Sequence, residues 1–542
     1  MSAVTTLRPA SSVSASKNSG QLLRDARANE LFIAIVAPAG AGAGTAASVL
    51  ESYVGDLQIN GIKFEVVRIK ASDVIRDWAQ KEGKAVPPPA ARKTIEGMIL
   101  MQDRGDELRR SLNDNAAVAR GIIRKIRGER ARLSGDKPDM IDGKPRAYII
   151  DSLRHPAEAN LLRRLYQDAF ALVGVVCDPE ERKRRLITNL FDKKDHAKDV
   201  TKDQVDQFIN RDANAPERHG QHVVDTFHEA DFFVDNSENV ADVAQTNMNE
   251  PLKRFVKILS GTAIVRPDIA ETAMHHAHSA QMRSACLSRQ VGAALVDSSG
   301  NIVATGTNEV PRAGGGVYGE LFRSPGLEDS RCAYKKDAVC SNNTQQNEII
   351  GELLTAFPEL LKDKNKEEVT RKIRSTRVGG LIEFSRAVHA EMDAILSAAR
   401  TGVSPVGTRL FVSAFPCHYC ARHIVSAGID EVQYIEPYPK SKALALHDDA
   451  ITTSSADWIA PTAAEGTSGG GKNKSAKARR VLFRPFVGVA PRMYRKAFIK
   501  DRDYKNSVTG KLEMAGHEWG REAEQFAVHY TSIEERLAGD AA

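Results

Sequence analysis

The sequence predicts an α/β protein of two parts: a parallel-sheet domain, then a second α/β domain. Three observations predict it. Short apolar runs alternate with charged segments of helical spacing through the first half. The first of those runs ends in a Gly-rich stretch, as a buried strand feeding a helix does. The alternation then resumes around two short clusters of His, Glu and Cys.

Each element follows from its pattern. Residues 1–24 are polar and Ser-rich, which predicts a disordered tail. Leu31–Ala37, Phe64–Ile69, Ala147–Asp151, Phe170–Asp178 and Ala230–Asn236 read as strands, with helices such as Glu158–Gln167 and Pro179–Leu190 between them. This predicts a first domain over 25–250. A second domain over 251–542 opens with a helix after Asp268. The segments VGAALVD and NIVATGTN read as strands joined at Ser298-Ser299-Gly300, a turn signal. Arg409–Phe415 and Val432–Tyr438 read as later strands, and helices are expected after His389 and Cys417. The Gly/Ser/Lys-rich stretch 465–480 reads as a flexible insertion.

Composition narrows the function classes. The chain has 542 residues, 42% hydrophobic and 27% charged, which argues against a wholly disordered or fibrous protein. A net charge of +6 on so long a chain permits a small anionic ligand without calling for nucleic acid or a membrane surface. Six cysteines do not make a disulfide framework and fit a reducing compartment. No apolar run reaches the roughly 18 residues of a membrane span. The N-terminal MSAVTTLRPASSVSASKNSG has no apolar core of a secretory signal. The expected location is cytoplasmic.

The strongest chemical signal is His389-Ala390-Glu391 followed by Pro416-Cys417-His418-Tyr419-Cys420. Cysteines at i and i+3 on a helix start present two sulfurs on one face. His389 adds a nitrogen, and three protein ligands leave the fourth tetrahedral position of zinc open to water. Glu391 stands about 200° round a helix from His389, so it is placed to carry the water's proton rather than to bind the metal. The competing reading of Cys417 and Cys420 alone is half of a structural zinc site, or buried thiols. The preceding Pro and the H-A-E cluster favour the catalytic one.

These motifs resemble the cytidine/deoxycytidylate deaminase superfamily, its deoxycytidylate branch above all, over roughly residues 265–450. The resemblance is carried by Ser284-Ala285-Cys286-Leu287-Ser288-Arg289-Gln290-Val291-Gly292-Ala293, by Ala304-Thr305-Gly306-Thr307-Asn308, and by the two zinc motifs. It implies a cytidine-deaminase-like α/β/α fold, Zn²⁺ held by His389, Cys417 and Cys420, and Glu391 as the catalytic acid/base. It also implies Asn308, Ala390 and Tyr438 as substrate ligands. Two readings stand for Cys286, Cys332 and Cys340: free thiols, or part of the second, structural zinc site that some members possess. Cys177, ending an apolar run, reads as core. Phe415 precedes the Pro where many relatives carry Ser, and His418-Tyr419 fill the C-x-x-C. These departures leave the choice between dCMP and dCTP open.

Ahead of this domain, Gly40, Gly42, Gly44 and Thr45 follow the first strand in the register of nucleotide and nucleoside monophosphate kinases, a P-loop kinase-like resemblance. Ala43 stands where the phosphate-neutralising Lys belongs, so fast phosphoryl transfer is not expected. Three readings stand: a degenerate nucleotide sensor, a structural kinase-like fold, and an active enzyme. In the first and third readings a nucleotide (ATP, GTP or a dNTP) with Mg²⁺ would be the ligand; Asp151 reads either as a Walker-B-like Mg²⁺ contact or as a strand-end Asp. Arg154 and the basic run Glu181–Arg185 read either as phosphate contacts or as solvated charge.

The fused architecture resembles large bacterial deoxycytidine-nucleotide deaminases of phage defence. That resemblance implies conversion of dCTP and dCMP to dUTP and dUMP, a homo-oligomer, and an enzyme restrained by a nucleotide, protein or RNA partner. Two other classes compete. A polynucleotide deaminase acting on tRNA or single-stranded DNA shares the zinc chemistry, but aromatics are only 6% of the chain, few for a base-stacking groove. A non-catalytic signalling protein would not need intact H-A-E and P-C-x-x-C motifs.

Overall fold

The computed structural model describes residues 29–59, 61–88, 93–135, 142–215, 217–237, 247–261, 263–319, 329–362, 365–436, 441–455, 458–463, 479–500, 504–512, 534–535 and 537–538. The expected tail at 1–24, residues 465–478 of the expected insertion, and Tyr438 lie outside them. The described residues form two compact units. One takes those of Met1–Glu229, Asp235–Ile264 and Lys500–Ala542, the other those of Ala230–Val234 and Val265–Ile499.

In the first unit, β1 (Glu30–Val36) is buried along its whole length. That is what a strand covered on both faces by helices requires, and its run of Phe, Ile and Val supplies it. Helix α1 (Ala43–Gly55) leads to β2 (Glu65–Lys70). Three helices, α2 (Ala71–Lys81), α3 (Ile95–Ser111) and α4 (Ala117–Ser134), carry the chain to β3 (Arg146–Leu153). Helix α5 (Pro156–Tyr166) leads to β4 (Phe170–Val176). The strands lie in the order β4-β1-β3-β2, every pair parallel. Helix α6 (Pro179–Leu190) begins where Asp178 accepts from the amides of Glu180 and Glu181 and Pro179 fixes the first helical φ. Helices α7 (Asp199–Ala213) and α8 (Asn249–Ser260) complete the described helices used below.

This unit buries a charge cluster. The Arg130 guanidinium donates to Glu30 at 2.7 and 2.9 Å and to Glu534 at 2.7 Å, and Tyr166 donates its hydroxyl to Glu534 at 2.6 Å. Both carboxylates stabilise the charged guanidinium against the burial that opposes it. Removing one partner of a buried ion pair leaves an uncompensated charge and costs about 3–5 kcal/mol. Glu534→Ala is therefore expected to lower the unfolding free energy from urea denaturation of the full chain by that amount, while an exposed control such as Glu180→Ala leaves it within about 0.5 kcal/mol.

In the second unit, α9 (Ile269–Gln281) starts on a capping box, Asp268 bonding the Glu271 amide and Glu271 reaching back to the Asp268 amide. Strands β5 (Gly292–Val296) and β6 (Ile302–Thr307) form the expected hairpin, with Gly300 at φ +89° in its turn. Helix α10 (Ser341–Ala356) comes before α11 (Ala390–Arg400). Next come β7 (Arg409–Ala414), α12 (His418–Ser426) and β8 (Glu431–Glu436). The short β9 (Ile451–Thr452) and β10 (Val481–Pro485) finish a six-stranded sheet ordered β9-β10-β8-β7-β5-β6. Pairs β7–β8, β8–β10 and β9–β10 are parallel, and β5 is antiparallel to both its neighbours.

Helix α11 lies unusually close to this sheet, and its sequence explains why. Ala390, Ala394 and Ala398, at i, i+4 and i+8, form its buried face. Opposite them is Gly306, where a Cβ would fall 2.1 Å from the Ala390 carbonyl oxygen and 2.3 Å from the Ala394 nitrogen. Only a residue without a side chain lets the backbones approach so closely. Gly306→Ala must push the first turn of α11 outward. It is expected to cost about 1–3 kcal/mol of stability and to weaken zinc retention, read by denaturation and by metal analysis after dialysis.

Candidate active site

His389 and Glu391 stand on the first turn of α11. His389 is the residue before the helix, with extended φ/ψ of −76°/155°. Its place is set from both sides: Val388 bridges Glu309 and donates its amide to the Glu309 carbonyl at 3.0 Å, and the His389 carbonyl accepts from Asp393 at 2.9 Å. Cys417 occupies the same position on α12, where its sulfur accepts from the Cys420 amide at 3.5 Å. Ser441 donates to the Pro416 carbonyl at 2.8 Å and pins the turn ahead of it. Two helix N-termini, with their positive dipole ends, thus meet at one place.

The structure brings the three expected donors together. His389 Nδ1 lies 3.3 Å from Cys417 Sγ and 3.4 Å from Cys420 Sγ. All three donor atoms lie within 4.8 Å of one another. Zinc at its usual distances of about 2.0–2.3 Å in a tetrahedron needs N–S edges of roughly 3.5 Å, so these residues fit it. Among the described residues no other group of three His, Cys, Asp or Glu donors is so arranged. Hydrogen bonding from Cys420 pulls the Cys417 thiol down to about 4, with His389 adding to the pull. The bond to Cys417, with burial, holds Cys420 well above the thiol range. A ready thiolate beside an imidazole and a second thiol is the donor chemistry zinc selects.

Glu391 is 4% exposed. Burial raises its carboxyl to about 7, and the neighbouring Cys417 adds to the rise. His389, Cys417 and Glu391 share the wall of a cavity of about 240 Å³, whose apolar lining includes Val291, Ile382 and Phe415. Phe415 is held edge-on against Tyr434 and Phe483.

The other expected residues are placed as follows. Asn308 lines the cavity, but its amide is engaged on both ends: Oδ1 accepts from Val291 at 2.6 Å and Nδ2 donates to the Arg289 carbonyl at 2.5 Å. It braces the Arg289–Val291 turn. Ala390 is buried on α11 against the sheet. Cys286, Cys332 and Cys340 line the cavity as free thiols, and Cys177 is buried in the first unit.

In the first unit, Gly42 precedes α1 at φ +95°, where a Cβ would meet Asn236 Nδ2 at 2.3 Å. Asn236 donates there to the Ala41 carbonyl at 2.8 Å. The Ala39 amide donates to Asp212 at 2.8 Å, and Arg154 donates to Asp212 at 2.6 Å. Asp151 accepts from Arg68 at 2.6 Å, and the same guanidinium reaches the Gly44 carbonyl at 3.2 Å. Gly40 has φ +81°, and the Thr45 amide closes onto the Gly42 carbonyl. In the run Glu181–Arg185, Arg184 and Arg185 pair with Glu181 of their own helix, while Arg182 donates to the Ala39 carbonyl.

Two charged residues of the second-unit cavity are among those that escaped the sequence reading. Glu309 is buried, its carboxylate accepting from the Ala285 and Val310 amides at 2.7 and 2.8 Å. Arg386 is part of the lining. Neither belongs to a metal-ligand spacing. Their adjacency to Asn308 and His389 was the only signal.

The chain is similar to known proteins over part of its length. Residues 267–436 match the family model described as the cytidine and deoxycytidylate deaminase zinc-binding region. The deoxycytidylate deaminase of Enterobacteria phage T4 is 29% identical over 179 residues, 32% of this chain and 80% of that protein. ComE operon protein 2 of Bacillus subtilis (strain 168) is 43% identical over 54 residues, 10% of this chain and 29% of that protein. A dCMP deaminase from cyanophage S-TIM5, solved with dCMP and dUMP, aligns with 34% of this chain and 93% of its own at 21% identity and a TM-score of 0.21. No described helix is long and apolar enough to cross a membrane. Over residues 267–436 the chain is thus similar to the cytidine and deoxycytidylate deaminase zinc-binding region.

Proposed function

We propose that this protein hydrolytically deaminates free deoxycytidine nucleotides, dCMP or dCTP, giving dUMP or dUTP and ammonia. The observation that carries the reading is the His389/Cys417/Cys420 donor set with Glu391 on the wall of the same cavity. Zinc held by those three residues would supply the Lewis acidity that brings the pKa of the attacking water toward neutrality. Glu391 takes the proton from that water as the oxygen adds to C4 of the pyrimidine. It delivers the proton to N3; the proton of the new C4 hydroxyl then passes to the exocyclic amine, so that C4=O forms as the C4–N bond breaks and ammonia leaves. The apolar walls at Val291, Ile382 and Phe415 hold the base and exclude bulk water, which strengthens every charge interaction inside.

The first unit is proposed as the regulatory part: its Gly-rich turn, with Arg68 at Gly44 and no Lys at position 43, suits a nucleotide sensor better than a phosphoryl-transfer enzyme. Restraint by a nucleotide, protein or RNA partner would keep a dCTP-consuming enzyme from harming its own cell, and its release would deplete deoxycytidine nucleotides during phage infection. The test is turnover of dCMP, dCTP, CTP and a cytosine-containing oligonucleotide by the zinc-loaded full chain. Deamination of the oligonucleotide alone would replace this reading with the polynucleotide one.

A further inference from the structure

Apart from the metal donor His389, the cavity lining contains two cationic side chains, Arg289 and Arg386. Arg289 is exposed, at the rim. Arg386 is half-buried. Its Nη1 donates to the Ser330 carbonyl at 3.2 Å and lies 3.8 Å from Cys332 Sγ, which anchors one end of the guanidinium. Among the described residues no carboxylate lies within ion-pairing distance of it. The nearby acid Glu309 is already engaged by the amides of Ala285 and Val310, and Arg331 approaches it at 4.0 Å. A positioned guanidinium with donors to spare recognises an oxyanion, in a planar two-bond geometry that suits phosphate.

We propose that Arg386 binds the 5′-phosphate of the substrate and so sets the preference for a nucleotide over a nucleoside. The inference rests on the deaminase reading above. His389, three residues on in the chain, lines the same cavity. One ligand can therefore meet the metal donors with its base and Arg386 with its phosphate. Arg386 is a specificity residue and takes no part in the proton transfers.

The experiment compares wild type, Arg386→Ala and Arg386→Lys, each as the zinc-loaded full chain. KM and kcat are measured on dCMP, dCTP and deoxycytidine, and binding of dUMP and deoxyuridine is measured by calorimetry. Loss of a charge-assisted contact is worth about 10- to 100-fold. Arg386→Ala should raise KM for the nucleotides by that factor with kcat little changed. It should bring dUMP binding down to that of deoxyuridine, and leave deoxyuridine binding and any deoxycytidine turnover unaltered. Arg386→Lys should recover part of the nucleotide preference. If Arg386→Ala weakens nucleoside and nucleotide equally, or neither, Arg386 only braces the Ser330–Cys332 segment and the proposal is wrong. If wild type deaminates none of the three, the deaminase reading itself fails and takes the proposal with it.

Discussion

Glu391→Gln is expected to hold zinc as wild type does while deamination falls by about 10²–10⁴-fold. The separation of the two effects follows from the geometry. The proposed metal donors are His389, Cys417 and Cys420, whose donor atoms already lie together without Glu391. Its side chain is buried on the first turn of α11, at the cavity wall, and Gln fills the same volume there. What Gln cannot do is accept the proton of water and return it to N3. Metal content measured beside turnover in the same preparation checks the claim. A Gln variant that deaminates at wild-type rate would remove Glu391 from the mechanism.

Cys417→Ser is expected to abolish turnover by a different route, through loss of the metal. Serine is a strong residue for a helix N-terminus, so it can replace the cysteine sulfur in accepting the Cys420 amide, and α12 should persist. The hydroxyl is a poor zinc donor beside a thiolate, and a set of three donors becomes a set of two. Zinc after dialysis should fall to background and deamination should be undetectable, with the far-ultraviolet dichroism unchanged. Chelation of the wild type should produce the same loss, reversed by added zinc. Full activity in the zinc-free variant would contradict a metal-dependent reaction.

The two substitutions show what the sequence made legible. His389, Glu391, Cys417 and Cys420 were readable because metal chemistry fixes spacing: i and i+3 for the sulfurs, one residue between His and Glu. The strands of the first half were readable because a doubly covered parallel strand must be apolar throughout, as Glu30–Val36 and Phe170–Val176 are after their first residues. What escaped was long-range pairing. No local pattern ties Glu534 to Arg130, 404 positions away, yet the two share a buried ion pair. Arg386 escaped for the same reason: its meaning comes from the cavity it lines. Asn308 shows the converse. Its place in the motif was legible, but its hydrogen bonds to Arg289 and Val291 depend on a turn that only the fold reveals.

The central claim is most directly tested by product analysis. Zinc-loaded full-length protein is incubated with dCMP and with dCTP, and ammonia and the uracil nucleotide are quantified together. The account predicts equimolar ammonia and dUMP, or ammonia and dUTP, from wild type and neither from Glu391→Gln above the residual rate. Zinc-replete wild type that releases no ammonia from either nucleotide, with or without added nucleotides for its first unit, would contradict it.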